Sequence, residues 1–249
     1  MGRGRNEAGD STRAAWRRHE RRWKENRYVY AVVSRRSRGV SIGLNLNPDR
    51  RCNFDCVYCQ VDRTEPPPVR RVSLEALSEE LDQILQAERD GSLYEDLPFR
   101  ALAREERGIR DIAFSGDGEP TTFRRLEGAV RVAAAARRRF GLDAAALVLI
   151  TNASCLGRPP VRAALAALHD CGGQVWAKLD AGTEEYFRAI NRTRIRFARV
   201  LDNILSAARA HPLVIQALWA GSGGGAPADA EIEAYCGRLS ALIAGGAQI

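Results

Sequence analysis

From residue 111 onward the chain alternates two kinds of segment: short runs dense in Val, Ile, Leu and Ala, and longer stretches with apolar residues at helical spacing. "DIAFSG" (111–116) precedes a helical pattern over 122–139, and "ALVLIT" (146–151) precedes one over 159–170. "QVWAKLD" (174–180) leads into helical stretches over 183–191 and 197–210, and "PLVIQALW" (212–219) into a helix over 229–244. Such runs, apolar on both faces and joined by helices, are the mark of βαβ units and a parallel sheet. "VSIGLNLN" (40–47), stopped by Pro48, adds a fifth parallel strand, and "YVYAVV" (28–33) stands before it across the basic turn "SRRSRG". A sixth parallel strand is expected to begin at "GAQI" (246–249). Polar residues recur just past nearly every strand, where barrels carry their active face. The sequence therefore predicts an α/β fold, a partial, open parallel β/α barrel of five to six units cut short at its last strand. A flat doubly wound sheet fits less well.

Between the first two parallel strands, "PPPVRRVS" (66–73) is a stiff spacer ahead of a helix capped by Ser73, with Leu74, Leu77, Leu81 and Leu85 on one face. Residues 92–108 are less regular. Residues 1–38 read as a basic N-terminal arm and 39–249 as the barrel core. The arm holds 12 Lys/Arg against 4 Asp/Glu, and the remaining 211 residues sum to minus one. Within it, Ser11 to Asn26 is patterned as a charged helix with Trp16 and Trp23 on one face. An arm of this charge is either an attractor of RNA or another polyanion, or a solvated tail. Only Lys24 and Lys178 of the 38 basic residues are lysines, a bias too uniform to be read as phosphate selection. No apolar run reaches the roughly 18 residues of a membrane span, and the N-terminus has no secretory apolar region. The expected address is the cytoplasm, with no membrane partner.

"RRCNFDCVYCQV" (50–61) sets Cys52, Cys56 and Cys59 within eight positions. In a reducing compartment so tight a group reads as metal-binding or redox-active, since six cysteines are too few to staple a chain of 249 residues. Cys155, Cys171 and Cys236 are read as small buried hydrophobes. Thiolates suit zinc or iron–sulfur clusters. A structural zinc site wants four ligands, usually as two pairs, and His19, His169 and His211 all lie far away in sequence. A cluster held by three cysteines leaves one iron open for chemistry.

The spacing CxxxCxxC, with Tyr58 just before the third cysteine and the loop following a strand, resembles the signature of the radical S-adenosylmethionine enzymes. Together with "SRRSRG", "FSGDGEPTT" and "TEEYFRAINRTR", it is similar to the branch related to the tRNA wyosine-forming enzymes. The resemblance implies a [4Fe–4S] cluster on Cys52, Cys56 and Cys59, with S-adenosylmethionine completing the fourth iron. It also implies reductive cleavage to a 5′-deoxyadenosyl radical and an electron donor of the flavodoxin or ferredoxin kind. "SGDGEPT" (115–121) looks like the family's Gly-Gly-Glu motif with Asp117 added between the glycines, which implies that Ser115, Gly116, Asp117, Gly118 and Glu119 bind the methionyl amino group.

Two further strand ends carry polar groups. Thr151 and Asn152 offer a hydroxyl and an amide to ribose hydroxyls, or, with Ser154, merely cap the next turn of the chain. Lys178 and Asp180, two apart, share a face: a point charge for a carboxylate and an acceptor for a ribose hydroxyl, or an internal salt bridge. Gln216 is a further candidate to point into the barrel. A phosphate cradle at the glycine-rich loop 221–225 is weakly indicated. The competing readings are a zinc-stabilised RNA-binding protein without redox chemistry and a degenerate homologue that binds a cluster without turnover.

Overall fold

In the computed structural model, residues 23–64, 66, 67, 69–219 and 226–249 are described. Most of the expected arm helix, with Trp16, and the loop 221–225 lie outside them. Trp23 to Asn26, the last part of that helix, is instead a turn, closed by the Asn26 N–H to the Trp23 carbonyl at 3.2 Å. Lys24 has a φ of 50°, which no right-handed helix accommodates.

Six strands form one sheet in the order of the chain: β1 (Val29–Ser34), β2 (Gly39–Leu44), β3 (Ile109–Phe114), β4 (Ala146–Thr151), β5 (Gln174–Lys178) and β6 (Val214–Gln216). β1 and β2 are an antiparallel hairpin, and every later pairing is parallel. The sheet is open. Its connections carry α1 (Leu74–Arg89), α2 (Leu126–Arg139), α3 (Pro159–Asp170), α4 (Glu184–Asn191), α5 (Phe197–Ala210), and, after β6, α6 (Asp229–Ala244). Strands laid down in strict sequence never reverse direction of winding, unlike a doubly wound sheet with its switch point. Among the described residues no helix is long and apolar enough to cross a membrane.

The helices form where the apolar spacing placed them. The Ser73 hydroxyl accepts from the Ala76 N–H at 3.2 Å and starts α1. Leu77, Leu81, Ile84 and Leu85 then fall on one buried stripe. Each such side chain contributes roughly 1.5–3 kcal/mol by leaving water. α2 packs between α1 and α3, and the strand residues Ile42, Leu44, Ile112, Phe114 and Leu147 meet them as fully buried side chains. At the opposite end of the strands from the cysteine loop, Asp111 is buried and accepts from Arg36 Nη2 at 3.1 Å and from the Ser41 hydroxyl. Arg36 also lies over the Trp176 ring. One arginine of the basic turn thus serves the fold.

Three expectations are corrected. β6 spans only Val214–Gln216, because the Leu218 N–H leaves the ladder for Asp180 Oδ1 at 2.8 Å. "GAQI" forms no strand: Gly246 turns the chain at φ 90°, and Gln248 bonds to Ala208 and Leu213. Of the three scattered cysteines only Cys155 is buried; Cys171 is half-buried and Cys236 lies exposed on α6.

Candidate functional site

The cysteine loop begins where β2 ends, and it has no regular structure, so its backbone must find partners elsewhere. They come from three elements. The carbonyls of Asn191 and Ile190, at the C-terminal end of α4, accept from the Asp55 and Val57 N–H groups at 3.1 and 2.9 Å. These are carbonyls that a helix end leaves unpaired. Arg192 stops the helix there with a φ of 44°, and the Thr193 hydroxyl donates to the Asn53 carbonyl at 3.0 Å. From the end of β4, Asn152 Nδ2 donates to Asn53 Oδ1 at 2.8 Å, and Asn53 Nδ2 donates to the Ser154 hydroxyl at 2.7 Å.

The end of β3 is fastened to the same loop. Asn45 takes the Asp117 N–H on its Oδ1 and donates to Asp117 Oδ2 at 2.7 Å. A Cβ on Gly116 would stand 2.3 Å from Asn45 Oδ1, and one on Gly118 would stand 2.1 Å from the Arg51 carbonyl, next to Cys52. The glycine pair therefore lets the end of β3 come close to the Asn45 side chain and the Arg51 carbonyl. Gly118→Ala is expected to cost about 1–3 kcal/mol, as overpacking against backbone does. A thermal midpoint equal to that of the unchanged chain would show that the loop yields freely.

Cys52, Cys56 and Cys59 line a cavity of about 190 Å³ with Tyr58, Ser115, Gly116, Gly118, Glu119, Thr151, Asn152, Lys178 and Asp180. Of the residues singled out in the sequence, Asp117 and Gln216 do not line it. Phe54, Phe187 and Asn191 do.

Each sulfur faces a different donor: Cys52 the Phe54 N–H, Cys56 the Asn191 Nδ2 at 3.3 Å, and Cys59 the Arg63 Nη1 at 3.3 Å. Burial outweighs those donors for two of the thiols, pushing Cys52 up to about 11 and Cys56 above its ordinary value. Without a positive centre both hold their protons, so loading a metal must release them. Among the described residues no three His, Cys, Asp or Glu side chains converge on one point as a single ion requires. The three sulfurs instead stand around the cavity wall.

The carboxylates are already engaged by the protein. Glu119 is 3% exposed, and its Oε1 accepts from the Thr121 N–H, the Thr121 hydroxyl and the Thr151 hydroxyl at 3.0, 2.5 and 2.6 Å. Its Oε2 accepts from the Asn152 N–H at 2.7 Å. Burial raises its pKa against these donors. Lys178 Nζ lies 3.2 Å from Asp180 Oδ1, so the internal ion pair weighed in the sequence is present. The Tyr58 hydroxyl donates to Asp180 Oδ2, and Lys178 lies over the Tyr58 ring at 5.1 Å. Desolvation, then the Asp180 charge, raises the Tyr58 pKa. Asn152 Oδ1 holds the Ser154 N–H and hydroxyl, the turn-forming use of an Asn side chain.

No protein-family model matches the chain. A UPF0026 protein of Methanocaldococcus jannaschii is 31% identical over 177 residues, 71% of this chain and 47% of that protein. A protein named GTPase Obg, of Brachyspira hyodysenteriae, is 23% identical over 188 residues, 75% of this chain and 24% of its own length. Among solved structures, TYW1 with a lysine–pyruvate adduct bound overlaps at TM-score 0.42 and 15% identity, covering 83% of this chain and 62% of that one. An archaeal TYW1 overlaps at TM-score 0.45 and 12% identity, covering 81% and 61%. The chain spans about half the length of the first curated relative. The GTPase likeness has no chemical counterpart: Lys24 and Lys178 are followed by Glu25 and Leu179, so the Gly-Lys-Ser/Thr of a phosphate-binding loop does not occur in the sequence.

Proposed function

We propose that the chain is a radical S-adenosylmethionine enzyme that carries a [4Fe–4S] cluster on Cys52, Cys56 and Cys59. The observation that carries this reading is the gathering of three cysteines from one loop onto the wall of a cavity shared with the tips of β3, β4 and β5. Sulfurs spread around a cavity, each beside its own donor, suit a group with several separate metal centres better than one mononuclear ion. When bound, the cluster and S-adenosylmethionine supply the electron transfer and the 5′-deoxyadenosyl radical that takes hydrogen from a substrate.

The protein's part is to position and to shield. Donors at Phe54, Asn191 and Arg63 hold the sulfurs, while Ser115, Gly116 and Gly118, which line the cavity, present their backbone to a ligand's amino acid end. Glu119 and Lys178 offer opposite charges to the ammonium and carboxylate of that end, and Asp180, Thr151 and Asn152 offer acceptors and donors to a ribose. For these last roles the internal bonds of Glu119 and Asp180 must be shared or exchanged with the ligand. Phe54 and Phe187, packed edge to face at 5.7 Å, keep water from one side.

The substrate we infer is a polyanion, RNA being the class that fits. Arg192, Arg194, Arg196 and Arg199 are exposed on the segment that follows Asn191, beside the cysteine loop. They give the segment after α4 an exposed basic surface of the kind that contacts phosphates. A flavodoxin- or ferredoxin-like protein would supply electrons. Anaerobic reconstitution with iron and sulfide, then reductant and S-adenosylmethionine, is expected to yield 5′-deoxyadenosine. Stoichiometric zinc with no product would favour the zinc-stabilised RNA-binding alternative, and tight ligand binding without cleavage the degenerate homologue.

A further inference from the structure

We propose that Asn191 is a positioning residue for the cluster, donating an N–H···S bond to Cys56 that raises the cluster's reduction potential; the inference rests on the radical S-adenosylmethionine reading above. Asn191 closes α4, is 3% exposed and lines the cavity. Its Nδ2 lies 3.3 Å from Cys56 Sγ, and its Oδ1 is buried with no partner. A buried amide with one end unmatched costs stability, so within the protein its orientation answers to the sulfur alone. Donor and acceptor are also held in one rigid unit. The carbonyls of Asn191 and Ile190 grip the loop on either side of Cys56, at Asp55 and Val57.

Tyr58 also stands within hydrogen-bonding reach of Cys56, but its hydroxyl proton goes to Asp180 Oδ2; among the three other sulfur donors Asn191 is distinct. Phe54 belongs to the loop itself, and Arg63 is an exposed cation four residues past Cys59. Asn191 reaches Cys56 from 135 residues away, neutral and out of water. An N–H directed at a ligand sulfur stabilises the more negative, reduced cluster more than the oxidised one. The low dielectric of a buried site strengthens that preference. The potential therefore rises, which makes a strongly reducing cluster easier for a protein donor to load.

The test is a dithionite titration of the reconstituted full chain, followed by electron paramagnetic resonance, with Asn191→Leu and Asn191→Asp beside the unchanged protein. Leu keeps the volume and removes the donor; the Asp carboxylate keeps the shape but accepts where the amide donated. Both are expected to hold about tenfold less reduced cluster at a fixed potential, equal to 59 mV for one electron, with Asp shifted at least as far as Leu. A loaded variant that titrates at the unchanged midpoint overturns the inference. Should neither variant load, Asn191→Gln, which returns the donor on a longer arm, must restore iron uptake, and its failure to do so overturns the inference as well. If the unchanged protein takes up no iron, the radical S-adenosylmethionine reading itself falls; if it loads and the variants match it, only the role of Asn191 does.

Discussion

Cys56→Ala is expected to yield a folded protein that is colourless after reconstitution and forms no 5′-deoxyadenosine above background. The loop should keep its course without this thiol, because its anchors are not sulfurs. Asp55 and Val57 are held through their N–H groups by α4, and Asn53 by Asn152, Ser154 and Thr193. The substitution removes the middle of the three proposed ligands and the acceptor for Asn191 Nδ2. A cluster left with two protein ligands has two open irons and is expected to be lost. The fall in iron content should exceed the roughly 10–100-fold that accompanies loss of an outer hydrogen-bonding partner at a metal site. Cys236→Ala, at an exposed thiol on α6, should leave iron content and product unchanged. Cleavage by Cys56→Ala at the unchanged rate would end the assignment, since no other described cysteine replaces Cys56 in the cavity lining.

The order of strands and helices was legible because it rests on periodicity, which a sequence displays directly. β3, β4 and β5 lie where their apolar runs predicted, and their tips do meet the cysteine loop at one cavity. Pairings between distant side chains are another matter, since no sequence displays them. β6 is short because Leu218 is drawn to Asp180 and Trp219 packs on Tyr235 at 4.7 Å, contacts made only in the folded chain. The glycines of "SGDGEPT" looked suited to a ligand's close approach, yet the chain itself approaches them, at Asn45 and Arg51. Asn191 lay inside a quoted motif and gave no sign of its partner. Asn53 and Arg63 were equally silent, since an Asn or Arg in a polar loop has many uses. Spacing points to the cysteines; only the fold shows their supports.

Glu119→Ala is expected to be the most destabilising single change at the site. The carboxylate gathers four donors from the tips of β3 and β4, with almost no access to water. After truncation the Thr121 and Thr151 hydroxyls can turn to other acceptors. The Thr121 and Asn152 N–H groups, fixed by the backbone, cannot. Each buried donor left unmatched costs about 1–3 kcal/mol, so the loss should come to about 2–6 kcal/mol, measured by chemical denaturation. Glu119→Gln separates shape from charge. Its Oε1 can keep three of the donors, while its amide meets the Asn152 N–H with another N–H, a penalty of about 1–3 kcal/mol. The pH dependence then distinguishes the two carboxyl states. Burial sets the folded pKa of Glu119 above the ordinary 4.5, so the native state binds its proton more tightly than the unfolded chain does. That contribution is fully present below the unfolded pKa and is lost as pH rises through the folded one. The deficit of Glu119→Gln against the unchanged protein should therefore be largest in acid and shrink toward neutral pH. A deficit that instead grows with pH would mean that the four donors outweigh burial and hold the carboxylate ionised, ready for a ligand's ammonium.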